Sequence, residues 1–143
     1  MEELKKYEYK PMLSYPHFRK DEAYIWERFM IKYPDYFESV SYDVPVGSPR
    51  TYPEGYPFGI TELMKQRSRK RIDVVGYSLD KVFIIEVEQN AMPSVFGDVL
   101  AKTKLFKEEH PEFKEYFPMV ITDRENPDMV RLAKDFGVIF YVV

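Results

Sequence analysis

Three carboxylates, Asp73, Glu86 and Glu88, stand in the stretch RIDVVGYSLDKVFIIEVEQNA, residues 71 to 91, among Val, Ile, Phe and Tyr. On a half-buried sheet surface such acids are costly unless a cation, a proton or a hydrogen-bond network compensates them. Two chemistries meet that need. Converging acids can hold a hard divalent cation, which takes oxygen ligands, typically one or two carboxylates with waters and a substrate phosphate. Acids facing basic side chains instead make an ordinary salt-bridged sheet end.

The local pattern decides where the three acids point. Ile72–Ser78 and Lys81–Glu88 are rich in strand formers and joined by Leu79-Asp80. If that dipeptide is a two-residue hairpin turn, Ser78 faces Lys81 and the register sets Asp73 directly opposite Glu86. Facing Cβ atoms on one sheet surface lie about 4.5–5.5 Å apart, so the two like charges repel unless offset. Glu88 follows Glu86 on the same face, about 6.5–7 Å along the strand. The same register puts Arg71 opposite Glu88, which is the salt-bridge alternative. Leu79-Asp80 also lacks the glycine that type I′ turns favour, so a different loop would break the pairing. Both readings stay open on geometry alone.

The elements around the hairpin follow from periodicity. Residues 1–18 have no clear period and read as an arm over the surface of a domain spanning 19–143. From Arg19 to Tyr33 a helix is expected, with Glu22, Ile25, Trp26, Phe29 and Tyr33 on one stripe and Pro34 ending it. Glu27 falls off that stripe and is expected to be solvated. SVSYDVPVG reads as a strand with Val40, Tyr42, Val44 and Val46 on one face. Residues 48–64 form a long Pro-, Gly- and Tyr-containing loop, whose YPEGYPF segment at 52–58 offers rings to stack on bases or to pack on the domain. KQRSRKR follows, five of seven residues basic: Lys65, Arg67, Arg69, Lys70 and Arg71. A helix over SVFGDVLAKTKLFKEE after Pro93, a strand PMVITD, a helix NPDMVRLAKDF with Asn126 as N-cap, and a strand GVIFYVV complete the chain. The order αβββαβαβ predicts an α/β fold, a mixed β-sheet with helices on both faces.

Composition narrows the functional classes. The chain has 143 residues, no cysteine and a net charge of −3, which removes thiol chemistry and disulfides and gives no global pull toward nucleic acid. No apolar run is long enough to span a bilayer, and MEELKKYEYK is not a signal sequence, so a cytoplasmic protein without membrane contact is expected. His17 and His110 each neighbour a proline, lie far apart and are expected at turns or on the surface. The basic run immediately precedes Asp73. That adjacency predicts phosphate-binding cations at the edge of any site the acids form.

The pieces RIDVV and FIIEVE, an acid opening one hairpin strand and Glu-x-Glu closing the next, resemble the PD-(D/E)XK nuclease superfamily. Its helix–strand–strand–strand–helix–strand core also matches the order read over roughly residues 20 to 143. The resemblance implies a restriction-endonuclease-like fold, with Asp73 and Glu86 as the carboxylates that bind Mg²⁺, or Mn²⁺ in its place. Glu88 stands where the family usually has lysine, so it is either a third metal ligand or the mark of a lost catalytic lysine. Lys102 and Lys104 on the next helix are the available substitutes, Lys102 lying one turn after Asp98. Glu22 is the candidate for the acid that relatives carry on the first helix. Gln89 is placed to hold a phosphate or to end the strand. The implied activity is metal-dependent hydrolysis of phosphodiester bonds by a DNA endonuclease, on branched or structured DNA and as a homodimer by analogy with small resolvases. The alternative is a catalytically inactive nuclease fold that binds DNA or assists assembly.

Overall fold

The structure is a computed structural model and describes residues 3–51 and 61–143. The 52–58 segment therefore lies outside the described residues. Six strands form one sheet in the order β1 (Tyr7–Glu8), β2 (Ser39–Val46), β3 (Lys70–Ser78), β4 (Lys81–Glu88), β5 (Glu115–Thr122) and β6 (Ile139–Val142). Strands β1 to β4 run antiparallel, and β4, β5 and β6 run parallel. Helices α1 (Lys20–Lys32), α2 (Glu62–Arg67), α3 (Ser94–Glu109) and α4 (Pro127–Phe136) make this an α/β protein with a mixed sheet. No helix among the described residues is long and apolar enough to cross a membrane.

Two hydrophobic layers sandwich the sheet. On one face α1 buries Ile25, Trp26, Phe29 and Met30 against Val40, Tyr42, Val74, Ile85 and Met119. The residues expected as an arm are built into this layer: Tyr7 pairs with Val40, and Tyr15 is buried beside α1. The Trp26 indole N–H donates to the Tyr42 hydroxyl at 2.9 Å, so the polar edge of the buried ring is satisfied. Glu27 is half-buried rather than fully solvated as its position off the stripe implied, and the Tyr15 hydroxyl donates to its Oε1 at 3.0 Å. On the other face α3 and α4 contribute Val95, Phe96, Val99, Phe106, Met129 and Ala133. The β4–α3–β5 and β5–α4–β6 units are strand–helix–strand crossovers between parallel neighbours.

Three local expectations change. Glu62–Arg67, expected as the end of a loop and the start of the basic run, is the short helix α2, capped by Thr61 and burying no residue. His110 stands at the end of α3 before a turn, as expected, but its side chain is only 12% exposed and stacks on Phe106 at 4.5 Å. Strand β2 does not keep one apolar face. Val40 and Tyr42 join the α1 layer, whereas Val44 and Val46 join the α3 layer. The cause is Asp43, whose φ of +52° is a left-handed conformation that a non-glycine residue adopts at a cost of about 1–2 kcal/mol. It rotates the chain within the strand and reverses which side chains face which helix.

Candidate active centre

The β3–β4 hairpin forms with the expected register, Ser78 against Lys81 and onward to Val74 against Ile85. Leu79 supplies the tight turn with φ of +57°, and its N–H donates to Glu38 Oε2 at 3.2 Å. One step beyond Val74 the ladder opens, and the acids take over its hydrogen bonds. The Asp73 N–H donates to Glu86 Oε2 at 3.3 Å, and the Val87 N–H donates to Asp73 Oδ2 at 2.9 Å. On the other side of β3 the β2 register runs from Tyr42–Val74 to Val44–Ile72 and skips Asp43 and Asp73. The left-handed residue of β2 thus lies level with the opening between β3 and β4. Asp73 sits where β3 is loosened from both neighbours, which frees its side chain to replace a ladder acceptor.

Helix α3 completes the centre. The Lys102 ammonium donates to Glu86 Oε1 in an ion pair whose side chains are 16% and 6% exposed. Burial, and then the neighbouring Glu86 charge, push the Asp73 carboxyl up to about 8. Burial also raises Glu86, against the pull of Lys102. One lysine is shared among several acids, and its direct hydrogen bond goes to Glu86 rather than to Asp73. Glu88 is half-buried and raised by desolvation, with Glu86, Asp98 and Glu22 adding their charge. Glu22, Glu88 and Gln89 meet with Arg19 and Asp21 in a cleft of about 380 Å³. The Glu22 charge is felt at both Asp73 and Glu88, so this cleft lies beside the centre.

The structure therefore brings Asp73, Glu86 and Lys102 into one hydrogen-bonded group, with Glu88, Glu22 and Gln89 in the cleft beside it. Among the described residues, no three His, Cys, Asp or Glu side chains gather closely enough to hold a metal ion. A set of three carboxylate ligands from Asp73, Glu86 and Glu88 is thus not assembled. The two facing carboxylates still fit a hard divalent cation in donor type and number. The upward shift at both acids comes first from burial, which Lys102 offsets only in part.

The basic run reads differently in three dimensions. Arg71 is not opposite Glu88 as a partner: its Nε and terminal N–H groups donate to Asp43 Oδ1 and Oδ2 at 3.0 and 2.7 Å, with His17 Nε2 also 3.0 Å from Oδ2. Arg69 bonds Glu109 at 2.5 Å and the Gly47 carbonyl at 2.7 Å, and Lys65 lies 3.5 Å from Glu62. Arg67 and Lys70 are exposed, with no acidic partner among the described residues. Lys104 is exposed and lines a separate cleft with Thr103, Lys107 and Lys114. Sequence reasoning missed Asp43, Arg19 and Asp21. Only the neighbours Arg19 and Asp21 left a signal, their adjacency to Glu22 at the start of α1.

The fold and the site together define an α/β protein with a mixed six-stranded sheet and a buried Asp–Glu–Lys group where two of its strands part. Comparison with protein-family models, with curated proteins and with solved structures found no match to this chain.

Proposed function

We propose that the chain is a restriction-endonuclease-like, metal-dependent nuclease that hydrolyses phosphodiester bonds in DNA, centred on Asp73, Glu86 and Lys102. The observation that carries this reading is the facing Asp73–Glu86 pair at the opened end of the hairpin, with an ammonium from the next helix on one of its oxygens. A divalent cation bound by the two carboxylates would supply Lewis-acid stabilisation of charge on a scissile phosphate. Asp73 is held by the Val87 N–H, so its second oxygen has a fixed direction. Lys102 stands where it can replace the lysine missing at Glu88, holding a proton beside the reacting phosphate and keeping Glu86 ionised. Glu22 and Gln89 border the opening through which a phosphodiester would enter.

The test is cleavage of linear, supercoiled and branched DNA, and of RNA, with Mg²⁺ or Mn²⁺. Loss of outer partners of a metal typically costs about 10–100-fold, so Asp73→Ala or Glu86→Ala is expected to cost more than about a hundredfold. Absence of cleavage of every substrate by the wild-type protein would overturn the reading. One observation favours a second reading, a DNA-binding or assembly module without catalysis: Lys102 already satisfies Glu86 with no metal required. Calorimetric titration with Mn²⁺ separates the two, because the module predicts no heat of binding from Asp73 and Glu86.

A further inference from the structure

Three lysines that form no ion pair among the described residues converge on a second cleft. Lys104 and Lys107 on α3 and Lys114 just before β5 line a recess of about 440 Å³ whose wall includes Tyr116 and Pro118. All three lysines are exposed, and none has an acidic partner among the described residues. Glu115 is the single acid lining the recess. The cleft exists because β6 is short. It pairs only with Met119–Thr122, which leaves the first half of β5 without a strand on that side.

The wall of the cleft points to its occupant. The Tyr116 ring is half-buried and fixed at its polar end, donating to the His110 carbonyl at 2.5 Å and accepting from the Phe113 N–H at 3.1 Å. Lys107 Nζ lies 5.4 Å from the ring centroid. A held aromatic ring among cations is the arrangement that binds a single nucleic-acid strand, with lysines on phosphates and the ring on a base. A duplex would call for an element that enters a groove about 12 Å wide, not for a recess. An added peptide strand is disfavoured too, because Pro118 has no N–H to offer on that edge. The recess also lies along α3 from the candidate active centre: Glu115 pairs with Lys81 and Val120 with Glu86, five residues and about 16 Å apart along the sheet.

We propose that the Lys104–Lys107–Lys114 cleft holds a single nucleic-acid strand and delivers it along α3 to the Asp73–Glu86 centre; the delivery rests on the nuclease reading, the binding does not. The experiment is fluorescence anisotropy of a labelled oligothymidine with the full chain in chelator, so that nothing is cut. The double variant Lys104→Glu, Lys107→Glu should weaken binding about tenfold or more. Losing two phosphate contacts should also lower the slope of log affinity against log salt by about 1.4. The milder Lys104→Gln, Lys107→Gln pair should give a smaller loss of the same kind, and circular dichroism checks that both fold. The charge-matched pair Lys10→Glu, Lys32→Glu, away from both the cleft and the basic run, should weaken binding far less than the cleft pair. The proposal is overturned if the cleft variants bind as wild type, if a duplex binds more tightly than the single strand, or if polyglutamate competes as well as oligothymidine. Cleft-dependent binding without any cleavage would sink the nuclease reading and leave the cleft standing, whereas cleavage indifferent to the cleft variants would sink the delivery along α3 alone.

Discussion

The basic run Lys65–Arg71 and the acids Asp73, Glu86 and Glu88 are close neighbours in the chain, and they end in opposite electrostatic states. Three of the five cations in the run are matched to acids at or near the surface, Lys65 to Glu62, Arg69 to Glu109 and Arg71 to Asp43. The acids are withdrawn from water and share Lys102. The difference is set by partner geometry and burial rather than by charge count. Surface pairs largely cancel their own field, whereas buried, under-compensated acids keep a demand for a proton or a cation.

The largest expected effect comes from that demand. Asp73 has an ordinary value of 3.8 and is pushed up to about 8 in the folded chain. The folded state then binds the proton more tightly than the unfolded state between those values. Stability must therefore be greatest below about pH 4 for this group and fall as pH rises toward 8, by at most about 1.4 kcal/mol for each unit crossed. Asp73→Asn removes the titration while keeping an oxygen for the Val87 N–H. Urea denaturation of both proteins without divalent cations, near pH 5 and near pH 8, should show the wild type losing stability relative to the variant. Parallel pH curves would mean that the acids are no more strained than the surface pairs.

Second in size is removal of the shared cation. Lys102→Met leaves Glu86 buried beside Asp73 without its ammonium, a change that costs about 3–5 kcal/mol when a buried pair is broken. The loss should be smaller near pH 5 than near pH 8, because Glu86 can then take up a proton. Chemical denaturation at the two pH values measures it. A loss below about 1 kcal/mol at both would put Lys102 in the same class as the surface lysines.

Much of this centre could be read from the chain because hairpin register is a counting rule. The two-residue link Leu79-Asp80 and the alternating pattern were enough to give the register from Ser78–Lys81 to Val74–Ile85 and so bring Asp73 and Glu86 together one step beyond it, and the helix after Pro93 was enough to offer Lys102. What stayed hidden depends on single backbone angles and on distant partners. No periodicity signals that Asp43 turns left-handed inside a strand and sends Val44 and Val46 to the other layer. Nor does sequence show that Arg71 reaches across to Asp43 rather than along to Glu88, or that Arg69 is held by Glu109 forty residues away. The residues of the arm gave no period because their pairing, Tyr7 with Val40, is only two residues long.

Asp43 joins the two regions, since it binds Arg71 of the run and lies level with Asp73 of the centre. Asp43→Ala removes the bidentate pair and keeps a Cβ at φ of +52°, whereas Asp43→Gly removes the pair but relieves the conformation. Alanine is expected to destabilise by about 2 kcal/mol, and glycine by about 1 kcal/mol less than alanine. Thermal unfolding of the two variants checks the order. If glycine is no better than alanine, the left-handed turn does not constrain the strand, and the opening at Asp73 has another origin.

The smallest effect should come from Lys65, where the comparison is at its sharpest. Its ammonium lies 3.5 Å from Glu62 one helical turn away, on a helix that buries nothing, with side chains 44% and 82% exposed. Water competes with both ends of such a pair, and the flexible side chains lose entropy when held together. Lys65→Ala should change stability by less than about 0.5 kcal/mol, with no pH dependence between 5 and 8 beyond that of the wild type. Denaturant midpoints measure this directly. A loss above about 1 kcal/mol would mean that α2 is anchored by its charges, and that the basic run is structural in the way the buried acids are not.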